Sequence, residues 1–405
     1  MRSPSLFLRH AVWLAVAAAL VAACVDSAEP SDDDLVDPGN DAIGTDASAL
    51  FDPALDKDPC AKLAKPPAGA VVTSRPLVAF PTPIRLMDGY GDFRTKPGWR
   101  YPGEHWPTGA DAATSMEGVL DTMNVIGGET ADAAFVKRLR TEGKVFAFHC
   151  TDYFPHRRLA SGLEDPILAE PYDGLNPSPT HLDYINAKSD LLAEKWARPF
   201  HEELGGALPG GFDAIMIDEV NGEDRDGTVS SRLFVQSLRK LRARIGNRRV
   251  IVYSTAAAAA SGPPIGPFNP NGYTYRSALA AIDLWADLYV VEVYVRALTN
   301  VTAATFEALA KNVEVRRPTL APKTIFGLGI GWSYLRYPCG YRAGDFVEHG
   351  TPLCAAGRTL LRDQLAGIRA GLHSKKMPGI GFYTFYQADA GTIPVVRAAA
   401  RDYFP

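Results

Sequence analysis

From Leu77 onward, eight short β-rich runs alternate with amphipathic helical stretches. That alternation leaves few options, because parallel strands need a long crossover between them and a helix is the usual one. The strand runs are Ile84 to Gly89, Asn124 to Gly127, Lys144 to Cys150, Phe212 to Val220, Arg249 to Ser254, Leu288 to Val295, Thr324 to Gly331 and Gly379 to Tyr386. Helical periodicity covers Ala131 to Glu142, Ile185 to Leu204, Ser230 to Ile245, Ser277 to Asp287, Ala303 to Asn312, Ala356 to Leu372 and Ile393 to Arg401. Eight such units in roughly 330 residues predict a closed (β/α)8 barrel of the TIM type. An open doubly wound sheet is the alternative, but no G-x-G-x-x-G follows the first strand and no P-loop occurs. With 46% hydrophobic and 22% charged residues the chain can bury such a core, and a formal net charge of −4 gives no reason to expect nucleic acid as a partner.

The N-terminal region reads differently. Arg2 and Arg9 precede an apolar run from Ala11 to Ala23, the length of a signal-peptide core and short for a permanent membrane span. It ends in Val21-Ala22-Ala23-Cys24, which resembles the bacterial lipobox, and the resemblance implies removal of residues 1–23 and lipidation of Cys24. Residues 24–65 are rich in Asp, Ala, Pro and Gly, with Lys57 as the only basic residue before Cys60, and predict a flexible acidic tether. The barrel domain is then expected over 66–405, anchored to a membrane by its lipid in the bacterial cell envelope, either periplasmic or at the cell surface. Setting Cys24 aside leaves Cys60, Cys150, Cys339 and Cys354, an even number in a compartment that permits disulfides. Cys339 with Cys354 encloses a short Gly-rich loop and is the most economical pair, leaving Cys60 to join Cys150. A four-cysteine zinc site would need C-x-x-C spacing, which is absent.

In a barrel of this kind the loops after the strand ends build the site, and these ends carry chemistry. Asp88 and Tyr90 close the first strand, His149 and Asp152 the third, Asp218 and Glu219 the fourth. Glu292 and Tyr294 lie on the sixth, Trp332 and Tyr334 follow the seventh, and Tyr386 ends the eighth. Asp88, Tyr90, His149, Asp152, Tyr294, Trp332 and Tyr386 are candidates for binding substrate, with Trp99, Tyr101, Trp106, Tyr153 and Tyr334 as further rim aromatics. About half of the aromatics are expected to face a cleft, where flat rings cover the apolar faces of sugars.

Two acids stand out because a carboxylate is costly at a core strand unless partnered or used. Asp218 shares parity with Ala214 and Met216, whereas Glu219 shares it with the bulky Ile215 and Ile217, so Asp218 is expected at the barrel mouth. Glu219 stays open as an alternative if the strand is irregular, and a salt bridge or helix cap as a structural role for Asp218. Glu292 is flanked by Val291 and Val293. Its structural alternative is an ion pair with Arg85 or Arg296. Should both acids reach one mouth, they could flank a single bond, as glycoside hydrolysis requires, with Glu292 as the desolvated proton donor and Asp218 as the ionised partner.

The run Phe212-Asp213-Ala214-Ile215-Met216-Ile217-Asp218, the strand-six Glu292 and the ending Gly381-Phe382-Tyr383-Thr384-Phe385-Tyr386 together resemble the barrel glycoside hydrolases related to the endo-α-1,4-polygalactosaminidase family. The likeness implies Asp218 and Glu292 as the catalytic pair and a polysaccharide or oligosaccharide substrate. The chain departs from that pattern by placing Glu219 directly after Asp218.

No H-E-x-x-H or G-x-S-x-G occurs, and His105, His149, His156 and His181 lack ligand spacing, so neither a metal nor another cofactor is expected. Two function classes remain at this stage: a lipid-anchored glycosidase, and a non-catalytic glycan-binding or envelope-surface barrel.

Overall fold

The computed structural model describes residues 59–74, 79–91, 120–129, 132–150, 166–172, 176–220, 228–255, 278–293, 303–330, 332–341, 351–383 and 391–405. Eight parallel strands close into one barrel in sequence order: β1 (Ile84–Gly91), β2 (Val125–Glu129), β3 (Val145–Cys150), β4 (Ala214–Val220), β5 (Arg249–Thr255), β6 (Leu288–Val293), β7 (Thr324–Gly329) and β8 (Gly379–Tyr383). β1 pairs with β8, Ile84 opposite Gly379, which completes the (β/α)8 closure. The longer helices are α1 (Ala133–Thr141), α2 (Pro179–Ala197), α3 (Val229–Ile245), α4 (Ala278–Trp285), α5 (Ala303–Arg316), α6 (Ala355–Ala370) and α7 (Ile393–Tyr403).

Local chemistry sets the helix ends. Asp132 caps α1 by accepting from the amides of Ala134 and Phe135 at 2.9 and 3.1 Å, and Thr228 caps α3 through the Ser231 amide at 3.2 Å. Gly246 stops α3 at φ 59°, a conformation costly for a residue with a side chain. Each helix buries one stripe on the sheet, Val136 and Leu139 from α1 and Leu233, Phe234, Leu238 and Leu241 from α3.

The core has two parts. An outer layer lies between sheet and helices, and a smaller inner cluster, including Ile84, Leu86, Ala147, Ala214, Met216, Ile251, Tyr253, Leu288, Val290 and Ile325, fills the barrel. Phe80 packs against the inner cluster, with Arg249, at the start of β5, over its ring. At this N-terminal end, carboxylates meet arginines: Asp287 takes Arg242 and Arg249 at 2.6 and 2.8 Å, and Asp213 takes Arg248 and Arg140.

Both expected disulfides are formed, Cys60 with Cys150 at a Cα separation of 5.2 Å and Cys339 with Cys354 at 5.8 Å. The expected tether boundary at 65 falls inside a strap that packs on the barrel. Arg198 donates to the carbonyls of Ala61 and Leu63, Lys65 pairs with Glu194, and Arg248 donates to Thr73, so the chain on both sides of that boundary is held on the barrel. Composition missed this because the anchoring partners are distant basic and acidic residues rather than an apolar run within the strap. No helix among the described residues is long and apolar enough to cross a membrane.

Candidate active site

Alternation along each strand decides which side chains enter the barrel. On β4, Ala214 and Met216 belong to the inner cluster and Ile215 and Ile217 to the outer, so Asp218 continues inward. The same parity carries Asp88 after Ile84 and Leu86, His149 after Val145 and Ala147, and Glu292 after Leu288 and Val290. All four are buried, Asp88 and Asp218 completely. Register shifts interrupt the pairing of β1 with β2 between Met87 and Tyr90, and of β4 with β5 between Ile217 and Val220. Irregularities of this kind re-aim side chains, and these two coincide with Asp88 and Asp218.

His149 joins two of the acids. Its Nδ1 lies 3.2 Å from Oδ1 of Asp88 and its Nε2 3.1 Å from Oδ2 of Asp218. Burial alone would pull the imidazole pKa down, but the charges of Asp88 and Asp218 and the hydrogen bonds to both outweigh it and hold the ring well above its ordinary value. The sequence offered Asp88 and His149 as candidates for binding substrate; the fold commits them first to each other and to Asp218. One ligand atom from each of these three residues also fits within a 4.8 Å cluster, a grouping able to grip a metal ion that sequence spacing gave no hint of. The imidazole, however, turns a different nitrogen to each carboxylate, which is the arrangement of a shared proton carrier.

Space for this cluster comes from glycines. A Cβ on Gly127 of β2 would fall 2.1 Å from Met216 Sδ and 2.9 Å from Asp88 Oδ1. Across the barrel, a Cβ on Gly327 of β7 would stand 2.9 Å from Val290 and 3.7 Å from the Tyr253 ring. Tyr253, on β5 between the strands of Asp218 and Glu292, is fully buried, and burial together with the charges of Asp88, Asp218 and Glu292 pushes its phenol well above the ordinary range. Sequence reading passed over Tyr253 because it sits in the run Val250-Ile251-Val252-Tyr253, where an aromatic reads as core; its place on the same strand face as Ile251 was the available signal.

Other expected positions divide. Tyr334 is buried and packs against Gly329, so it belongs to the core and not to a cleft. Arg85, offered as an ion-pair partner for Glu292, donates to the Phe404 carbonyl at 2.9 Å instead. The backbones of Tyr90, Glu219 and Trp332 are placed on β1, on β4 and in the short helix Trp332–Leu335, and their side chains lie outside the described residues. Cys24, Trp99, Tyr101, Trp106, Asp152, Tyr153, Tyr294, Arg296 and Tyr386 also lie outside them.

No family model and no curated protein matches the chain. Among solved structures it is similar to a GH18 chitinase from Pseudoalteromonas aurantia, with 10% identity over 78% of this chain and 99% of that one at a TM-score of 0.41. A Cellulomonas fimi endo-β-1,4-mannanase double mutant aligns with 12% identity over 80% and 71% of the two chains at 0.42. A spore cortex-lytic enzyme from Bacillus megaterium aligns with 10% identity over 78% and 73% at 0.40.

Proposed function

We propose that this chain is a glycoside hydrolase that cleaves a polysaccharide or oligosaccharide with Asp218 and Glu292 as its carboxyl pair. The observation that carries the reading is that both acids are interior residues of one barrel, on β4 and β6, with Asp218 held by an imidazole that Asp88 holds in turn. Asp218 acts as the carboxylate, nucleophile or base, beside a positive counter-charge. Glu292 acts as the proton donor, because a carboxyl buried in the barrel interior is costly to ionise. Glu292 protonates the leaving oxygen as the glycosidic bond breaks; either Asp218 activates the water that attacks the anomeric carbon, or Asp218 attacks it and the resulting glycosyl ester is hydrolysed by water that the Glu292 carboxylate activates.

The reading extends to location. The Val21-Ala22-Ala23-Cys24 run supports an exported protein lipidated at Cys24, and the disulfides support an oxidising compartment. Cys24→Ser should leave membranes with the soluble fraction, and failure of the wild type to incorporate labelled fatty acid in a lipoprotein-processing host removes the anchor from the proposal. For the activity, the wild type and Asp218→Asn are assayed on a panel of polysaccharides by reducing-end release. The expected result is hydrolysis of at least one glycan by the wild type and none by the variant. A wild type that binds glycans yet cleaves nothing favours the non-catalytic barrel.

A further inference from the structure

Tyr253 is a buried polar residue of the barrel interior to which the roles of the carboxylates and His149 give no part. The Tyr253 hydroxyl is fully enclosed and has no hydrogen-bond partner among the described residues. Its neighbours explain how that arises. Ile217 pairs with Val252 and, past the register shift, Val220 with Ser254, so Asp218 and Glu219 on β4 together lie opposite Tyr253 on β5, and on the other side Tyr253 pairs with Val290, the interior residue that precedes Glu292 on its strand face. The phenol therefore stands between the strands that carry the two acids. Gly327 lies beside its ring, and Tyr383 flanks it with ring centroids 6.3 Å apart.

A buried hydroxyl without a partner is a standing cost, and native interiors keep such groups where an unseen partner completes them. The chemistry of that partner is restricted. It must accept a hydrogen bond from the phenol, which burial and the charges of Asp88 and Asp218 keep protonated. It must also suit carboxylates close by, which only accept when ionised and have several lone-pair positions each. A carbonyl accepts but cannot donate, and an ammonium donates but cannot accept. A hydroxyl does both.

We propose that Tyr253 is a substrate-binding residue whose hydroxyl donates to a sugar hydroxyl, which in turn donates to the carboxylate of Asp218. This rests on the glycosidase reading and specifies the floor of its cleavage subsite.

The test is Tyr253→Phe, which keeps the ring and removes the oxygen. Thermal unfolding without ligand should rise by about 1 to 3 °C, because the orphaned group is gone. On a glycan that the wild type cleaves, kcat/KM should fall about tenfold, the size of one neutral hydrogen bond. A set of substrates each lacking one hydroxyl of the sugar at the cleaved bond should contain one that the wild type disfavours and Tyr253→Phe does not. Lower stability of Tyr253→Phe would mean that the oxygen has a partner inside the protein, and unchanged kinetics would mean that at most water meets it; either result overturns the proposal. A wild type inert on the whole panel fails the glycosidase reading itself, and is told apart from these outcomes because the variant then plays no part in the result.

Discussion

Nε2 of His149 stands 3.1 Å from Oδ2 of Asp218. Nδ1 of the same ring faces Asp88 at 3.2 Å, and a neutral imidazole has one N–H and can donate to only one carboxylate. Serving both requires the imidazolium, which agrees with the upward displacement of its pKa. The third strand thus delivers a positive charge to the acid at the end of the fourth, and Asp88 determines whether that charge persists as pH rises. Asp88→Asn should therefore move the alkaline limb of the pH–rate profile to lower pH while KM changes little. An unchanged limb would separate His149 from the reaction.

Asp218→Asn and Glu292→Gln should each lower kcat by about a hundredfold to ten-thousandfold or more, the usual span of acid–base contributions. Far-ultraviolet circular dichroism should match the wild type in both. Retained activity in either variant returns that residue to a structural role.

Much of this arrangement is legible in the sequence. The strand order followed from alternation, and the parity of Asp218 with Ala214 and Met216 placed it inside even though β4 is irregular at that point. Contacts across strands were not legible in the same way. Nothing local tells that His149 will reach both Asp88 and Asp218, because the barrel's closure brings their side chains together. Gly127 reads in sequence as a weak strand position, yet the Met216 and Asp88 side chains occupy the volume its Cβ would take. Tyr253 was hidden by its aliphatic neighbours, since periodicity assigns a face and not the fate of a hydroxyl.

Gly127→Val should damage the site more than the fold. The new side chain would meet Met216 Sδ, the flexible end of a side chain, and Asp88 Oδ1, which is fixed by His149. Activity should drop by at least about tenfold, and a Met216→Ala exchange in the same chain should restore part of it by vacating the space. Equal loss in the single and double variants would show that Met216 is not the obstruction.

The disulfides should differ in what they protect. Replacing Cys339 and Cys354 by Ser opens a loop with a sequence separation of 15 and should cost about 3 kcal/mol in urea unfolding at 25 °C on the chain-entropy model. Replacing Cys60 and Cys150, separated by 90 residues, should cost more, about 4 to 5 kcal/mol on the same model. It should also lower activity, because Cys150 directly follows His149 on β3 and ties the strap to that strand end. Activity unchanged by the second pair of substitutions would confine the strap to a purely structural role.

The His149 cluster should leave a signature in stability that can be read without a substrate. Breaking a buried charge network by removing one member costs about 3 to 5 kcal/mol, because the remaining charges stay enclosed. His149→Gln should therefore be destabilised by an amount of that order near neutral pH, with Asp88 and Asp218 facing each other across an uncharged amide. The sign of the pH dependence follows from the raised folded-state pKa of His149. Below the unfolded-state value of about 6.5 the ring is protonated in both states and its ionic contribution is fully present. As pH rises from there toward and through the folded-state pKa, the unfolded chain has already released this proton while the folded protein still holds it, so stability falls. Chemical denaturation from pH 6 upward should show this alkaline decline in the wild type, and His149→Gln should lack the increment. A wild-type curve parallel to that of the variant, or one that rises with pH relative to it, would mean that the His149 pKa is not raised in the folded protein and that the ring does not serve both carboxylates at once.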